Sequence, residues 1–189
     1  MNWTLTRGPV DANSECITLV QAKLHLKVDT DADDSLIAPH ITTARQDCED
    51  FTNRWLVPGP GTLRLDRFPV YDAIVIPVGI ANLVINSVSY IDSDGQPQTW
   101  ANTEYTVYQR QNACPEIAPV YGSRYPVTRP ERDAVTITFT VGTAPVDAKL
   151  VSGMLLLMGF LYENREPNAL SRRSIDSLWT PYHVFHEGS

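Results

Sequence analysis

The sequence predicts an α+β fold: a helical core of two N-terminal helices and one buried C-terminal helix, with an inserted antiparallel β module and an extended C-terminal tail. Three observations carry that reading. From Leu150 to Tyr162 the chain is apolar on every side apart from Ser152 and two glycines, which leaves no face for water and predicts a buried helix. Between residues 35 and 55 the apolar side chains Ile37, Ile41, Ala44, Cys48, Phe51 and Trp55 recur at alternating steps of four and three, the seam of a helix lying along another. After Pro58 the hydrophobic period changes from about 3.6 residues to 2, the period of strands with one buried face.

Taken in order, residues 1–17 have little periodicity and read as an arm, with Gly8 and Pro9 as a turn. Residues 18–57 hold the N-terminal helices. Thr18 supplies the cap of the first, whose apolar positions are Leu19, Val20, Ala22, Leu24 and Leu26. The acids from Asp29 to Asp34 precede the second helix, read from Ser35 to Thr52, and are expected to cap it and favour its dipole. An EF-hand loop beginning at Asp29 would need glycine at its sixth place and glutamate at its twelfth, where Asp34 and His40 stand. Pro39 predicts a distortion near the helix start, and Asn53 suits a left-handed ending.

Residues 58–144 form the β module. Leu63 and Leu65, Ile74 and Ile76, Val84 to Ile91, Tyr105 to Tyr108 and Val135 to Val141 are its strands, and Asp92 to Gly95 is a hairpin turn. Proline and glycine dominate from Asn112 to Asp133, which predicts a long ordered loop or an extended edge rather than a regular strand. Residues 145–166 are the core helix, opened by Pro145 and Asp147 and closed by Arg165 and Pro167. Its apolar part runs for about 13 residues against the roughly 20 that a bilayer requires, so a membrane span is not expected. Leu150, Met154, Leu157 and Leu161 are its side of the seam with Ile37, Ile41, Ala44, Cys48 and Phe51. In the tail, residues 167–189, Ser174 can cap one short turn and large side chains continue almost to the end: Leu178, Trp179, Tyr182, Val184 and Phe185. Termini are usually polar, so these residues either fold back on the domain or dock into a partner.

Composition narrows the functional classes. The formal net charge of −7 divides unevenly along the chain, with nine acids against five bases up to residue 60 and eight against six from 61 to 144. No basic stripe is present to grip phosphates. Arg124, Arg129 and Arg132 have Glu131 and Asp133 beside them and read as a solvated loop. Cys16, Cys48 and Cys114 are far apart and form no CxxC pair, so neither a disulfide framework nor a zinc knuckle is indicated, and a cytosolic, reducing setting is expected. No nucleophile elbow, zincin helix, Walker loop or dinucleotide fingerprint occurs. His25 and His40 lie near the first helices, and His183 and His186 have no third ligand in view. No catalytic, metal or cofactor site is therefore expected. The alternatives from other classes are a metal-dependent hydrolase using Asp29, Asp31, Asp33 and Asp34, and a monomeric β-rich module that binds a ligand.

Three segments together resemble the head-to-tail connector (adaptor) proteins of long-tailed bacteriophages and related gene-transfer particles. They are Leu19 to Leu26 (LVQAKLHL), the run from Asp33 through Ala44, Arg45 and Glu49 to Arg54, and Tyr162 to Glu166 (YENRE). Phe68-Pro69, the hairpin from Tyr90 to Gly95 and the strand from Val135 to Gly142 follow in the expected order, so the likeness covers residues 18–182. Asn53 stands where the family often has glycine, and Pro39 where it usually has a helix former. The resemblance implies a non-enzymatic virion protein of the neck, assembled in the bacterial cytoplasm and needing no cofactor. It implies a homo-oligomeric ring, a dodecamer, that binds the portal protein and the next neck or tail protein and meets DNA only in its lumen. On this view Leu178, Trp179, Tyr182, Val184 and Phe185 dock into the portal, and Arg45, Glu49, Arg165 and Glu166 are intersubunit charges.

Overall fold

A computed structural model of the protein describes residues 2–110, 113–142, 144–164 and 169–185. In chain order the elements are β1 (Trp3–Arg7), α1 (Leu19–Leu26), α2 (Asp34–Thr52), β2 (Arg54–Trp55), β3 (Gly59–Leu65), β4 (Ile74–Val75), β5 (Gly79–Ile80) and β6 (Leu83–Ile91). There follow β7 (Pro97–Trp100), β8 (Tyr105–Tyr108), β9 (Glu116–Pro119), β10 (Val135–Val141), α3 (Ala148–Asn164) and α4 (Ala169–Trp179). The chain divides into two compact units, one drawn from residues 1–10, 58–143 and 185–189, the other from 11–57 and 144–184.

The β unit is built on a five-stranded antiparallel sheet in the order β1-β3-β10-β6-β7. Strand β10 runs Val-Thr-Ile-Thr-Phe-Thr-Val, and its period of two turns Val135, Ile137, Phe139 and Val141 into the core while the threonines take the other face. It pairs with β3 from Val135 opposite Leu65 to Val141 opposite Gly59. Against β6 the register shifts between Thr138 and Phe139. The first residues, read as an arm, are an edge strand instead: β1 pairs with β3 from Trp3 opposite Leu65 to Arg7 opposite Gly61. Leu5 sets a weak alternation between two threonines, too short to stand out without the partner strand.

The turn from β6 to β7 is held by the Asp92 carboxylate, whose Oδ1 accepts from the Asp94 and Gln96 amides at 3.0 and 2.8 Å. Gly95 takes φ of +81°, where a side chain would be strained. A second sheet has the order β4-β9-β8, and its middle strand β9 lies in the stretch rich in proline: it pairs with β4 and β8 although Pro115 precedes it and Pro119 ends it. Tyr125 ties this region together. Its hydroxyl donates to the carbonyls of Asp72 and Ile117 at 3.0 and 3.1 Å, its ring stacks on Phe68, and burial pushes its pKa up to about 12.

The helical unit packs α1, α2, α3 and α4 around one core. Helix α1 begins at a capping box: the Gln21 amide donates to Thr18 Oγ1, and the Thr18 amide donates to the Gln21 side chain. Lys27 and Asn53, both left-handed, end α1 and α2. Pro39 lies inside α2, and the helix runs through it. Helix α3 is not buried all round, as the sequence suggested. Leu150, Met154, Leu157 and Met158 are in the core, whereas Leu156 is 39% exposed and Ser152 and Glu163 face water. No helix among the described residues is long and apolar enough to cross a membrane.

Candidate functional site

The structure gathers the seam residues in one place. Ile37, Ile41, Ala44 and Cys48 of α2 and Leu150, Met154 and Leu157 of α3 share the helical core, with Phe51 and Leu161 packed on its margin. The same core takes in Ile175 and Trp179 of α4.

That placement corrects the reading of the tail. Residues 169–179 form three turns of helix rather than one, and Trp179, assigned to docking, is 0% exposed. Its indole Nε1 donates to the Leu150 carbonyl at 3.3 Å, and its ring meets Phe51 at 5.9 Å between centroids. The chain then folds back along the end of α2. Arg54 Nε donates to the Tyr182 carbonyl at 2.6 Å, the Val184 amide donates to the Thr52 carbonyl at 2.9 Å, and Asn53 Nδ2 donates to the Val184 carbonyl at 3.1 Å. The Tyr182 hydroxyl bonds to the Asp147 carboxylate, which raises the tyrosine pKa and lowers that of the acid, the latter after the larger effect of the Lys149 amide. Val184 is buried, and Leu178 and Tyr182 pack on the core margin. Of the five residues only Phe185, 78% exposed, presents its side chain to solvent. The physical reason is helical phase: Ile175, Leu178, Trp179 and Tyr182 recur at steps of three and four, and α3 offers a gap for the indole where Gly153 lacks a side chain.

Two of the four charges assigned between subunits belong inside one. Arg45 and Glu49 are 4% and 5% exposed. Arg45 Nε meets Glu15 Oε2 at 2.8 Å, its Nη1 bonds to Glu49 Oε2, and Glu49 Oε1 accepts the Leu56 amide at 2.7 Å. Glu15 Oε1 takes a further bond from Thr42 at 2.9 Å. Burial of the guanidinium opposes its charge, yet the Glu15 hydrogen bond and the neighbouring Glu49 outweigh that effect and raise its pKa. Sequence spacing showed Arg45 and Glu49 four apart on a helix, but not that residue 15 would return to cover them. Arg165 and Glu166 lie outside the described residues, as does His186.

The acids before α2 have partners other than a metal. Lys23 Nζ reaches Asp31 Oδ1 at 2.6 Å and Asp34 Oδ1 at 2.8 Å, and these bonds raise its pKa. Tyr162 donates to Asp33 Oδ2 at 2.7 Å, so Asp33 occupies the cap position of α2 without a capping bond from its side chain. Among the described residues no three His, Cys, Asp or Glu side chains are grouped to hold a metal ion. Burial pushes the Cys48 thiol well above its ordinary range, the opposite of what a nucleophile needs.

What the protein does present is apolar surface. On the helical unit Val20 and Leu24, one turn apart on α1, are 76% and 80% exposed, with Leu36 and Leu156 also open. On the β unit Tyr71 and Tyr121 stand out from two loops, each next to segments that Tyr125 fastens. Sequence reasoning missed these two tyrosines, because single aromatics in a loop rich in proline carry no periodic signal. An arrangement of exposed aromatic and aliphatic side chains over a rigid scaffold suits contact with other proteins.

Such a surface suits a structural, interaction-bearing protein. Residues 16–95 match the family described as Phage gp6-like head-tail connector protein, the family that the sequence resembled. The family so described is one of structural head-tail connectors, and the match covers the helices α1 and α2 and the first part of the β module. Three solved structures share the fold over 98% of this chain and 98% of theirs. They are the neck of an empty GTA particle computed with C6 symmetry (18% identity, TM-score 0.79), the virion of a native gene transfer agent particle (18%, 0.78) and the neck of a native GTA particle computed with C12 symmetry (17%, 0.77). Among curated proteins none matches.

Proposed function

We propose that the chain forms a homo-oligomeric ring of twelve copies in the neck of a phage-like or gene-transfer particle. The ring sits below the portal protein and offers a platform to the next neck or tail protein. The observation that carries this reading is the likeness along almost the whole chain to neck structures computed with sixfold and twelvefold symmetry, joined to a connector-family match over residues 16–95. Exposed Val20, Leu24, Tyr71 and Tyr121 supply apolar side chains for contacts between copies. A net charge of −7 suits a lumen through which DNA passes without being held.

Docking into the portal is assigned to the end of the tail, with Phe185 as the side chain that reaches a partner while Leu178, Trp179, Tyr182 and Val184 shape the fold that presents it. Mixing the purified protein with portal-bearing, DNA-filled heads and imaging the product tests both claims. Twelvefold density below the portal is expected, and weaker retention when Phe185→Ala is used. Heads that retain no protein, or density at another site on the particle, would overturn the reading.

A further inference from the structure

We propose that Cys16 and Cys48 are a latent disulfide, open in a reducing cell and closed by a small oxidised thiol such as glutathione disulfide once the protein leaves it. The Glu15 bonds hold the segment that carries Cys16 against α2, the helix that carries Cys48. Glu15 is bonded to Thr42 and Arg45 of α2, at 2.9 and 2.8 Å, so the residue after it runs against the same helix. Cys48 lies on that side of α2, three residues past Arg45, and is fully buried in the helical core. Cys16 packs on this core beside Ile17, which is buried within it. After burial, the charge that Cys16 could carry is the next largest influence on the Cys48 thiol, which agrees with the two being neighbours. Cys114 belongs to the β unit.

The two thiols differ in access, and this sets the order of steps. Cys16 is half-buried, so its thiolate can attack glutathione disulfide; a mixed disulfide forms at Cys16 and one glutathione leaves as thiolate. Cys48 then gives up its proton and attacks the Cys16 sulfur of that adduct. The Cys16–Cys48 bond forms, the second glutathione leaves, and two protein thiols have been oxidised by one disulfide reduced. Burial disfavours the Cys48 thiolate, so the second step is the slower of the two. Once closed, the bond ties the segment before α1 to the C-terminal part of α2 and restricts the unfolded chain. The proposal does not depend on ring formation.

The test uses the reduced full-length protein treated with glutathione disulfide at mildly alkaline pH. The expected product is lighter by about 2 Da, from the two hydrogens lost. It yields a Cys16–Cys48 cross-linked peptide, keeps Cys114 open to alkylation, and melts about 5 °C higher, a rise reversed by dithiothreitol. Cys16→Ser should abolish both the mass change and the rise in Tm. Cys48→Ala should stop at the glutathione adduct on Cys16. A wild-type protein that halts at that adduct, links a different pair, or keeps both thiols alkylatable after prolonged treatment would overturn the proposal.

Discussion

The indole of Trp179 lies against the backbone of Gly153 so closely that a Cβ on residue 153 would sit 2.2 Å from its Nε1. A methyl group cannot share that space, and Nε1 is also engaged by the Leu150 carbonyl. Gly153→Ala improves helix propensity by about 1 kcal/mol, yet it forces the indole from its site, and overpacking of this kind costs about 1–3 kcal/mol or more. The expected outcome is a net loss of stability, read as a lower Tm. Trp179→Ala, which empties the same space, should cost about 3–5 kcal/mol. A Gly153→Ala protein that melts above the wild type would show that the indole is not held there.

Truncation tests the same relationship more coarsely. A chain ending at Arg173 loses Ile175, Trp179 and Val184, all buried, together with the bonds that the Thr52 carbonyl and the Arg54 side chain make to the tail. It should fail to fold, seen as loss of near-ultraviolet ellipticity and of cooperative melting. A chain ending at Val184 keeps all of these and should melt near the full-length value. A folded Arg173 truncation would return the tail to the role of a free docking segment.

How much of this was legible in the sequence depends on the range of the signal. The seam of Ile37, Ile41, Ala44 and Cys48, the capping box at Thr18, the strand at Val135 to Val141 and the hairpin at Asp92 to Gly95 each announce themselves within a dozen residues, through periodicity or turn chemistry. Edge strand β1 does not, because five residues with one central leucine need β3 beside them to become a strand. Nor does the burial of Arg45 and Glu49, since the group that completes the network, Glu15, lies 30 residues from Arg45 and is brought there only by the fold. The tail was open between two readings on its apolar side chains alone, and what decides is the gap left by Gly153, a residue that reads as an interruption of a helix.

The Glu15–Arg45–Glu49 network should be far more sensitive to losing its cation than to a conservative exchange. Arg45→Met leaves the buried Glu49 and the half-buried Glu15 carboxylates without their cation, and breaking a buried pair in this way costs about 3–5 kcal/mol. Arg45→Lys keeps the charge but cannot hold both acids through a planar fork, so an intermediate loss is expected. Chemical denaturation of the two variants checks the ranking, and equal losses would argue against a network in which both carboxylates depend on the guanidinium.

Asp92 gives the hairpin a pH dependence of known sign. Its pKa is held below the ordinary carboxylate value, first by the Gln96 amide and then by the Gln98 side chain. A group with a depressed folded pKa contributes stability that is fully present above the unfolded value and is lost as pH falls through the folded one. Protection of the Gln96 amide from hydrogen exchange should therefore hold at neutral pH and fade below about pH 4, near the unfolded aspartate pKa. In Asp92→Asn the protection should be weaker at neutral pH and lack this acid-side loss. An unchanged profile in the variant would place the pH response elsewhere.

The two neighbouring leucines of α3 separate folding from assembly. Leu157 is 3% exposed and belongs to the core shared with α2 and α4, whereas Leu156, 39% exposed, is not part of that core. An unpaired carboxylate at residue 157 would be desolvated in apolar surroundings, a cost that exceeds much of the about 5–15 kcal/mol by which a domain is stable. Leu157→Asp should therefore give insoluble or unfolded protein. At residue 156 the same carboxylate stays in water, and the effect on stability should be within about 0.5 kcal/mol of zero apart from a small helix-propensity loss. If the outward face of α3 is covered by a neighbouring copy, that carboxylate is desolvated only on assembly. Leu156→Asp should then fold and melt almost as the wild type does, yet form no rings on portal-bearing heads. Normal ring formation by the folded variant would show that this face of α3 stays in solvent in the assembled particle.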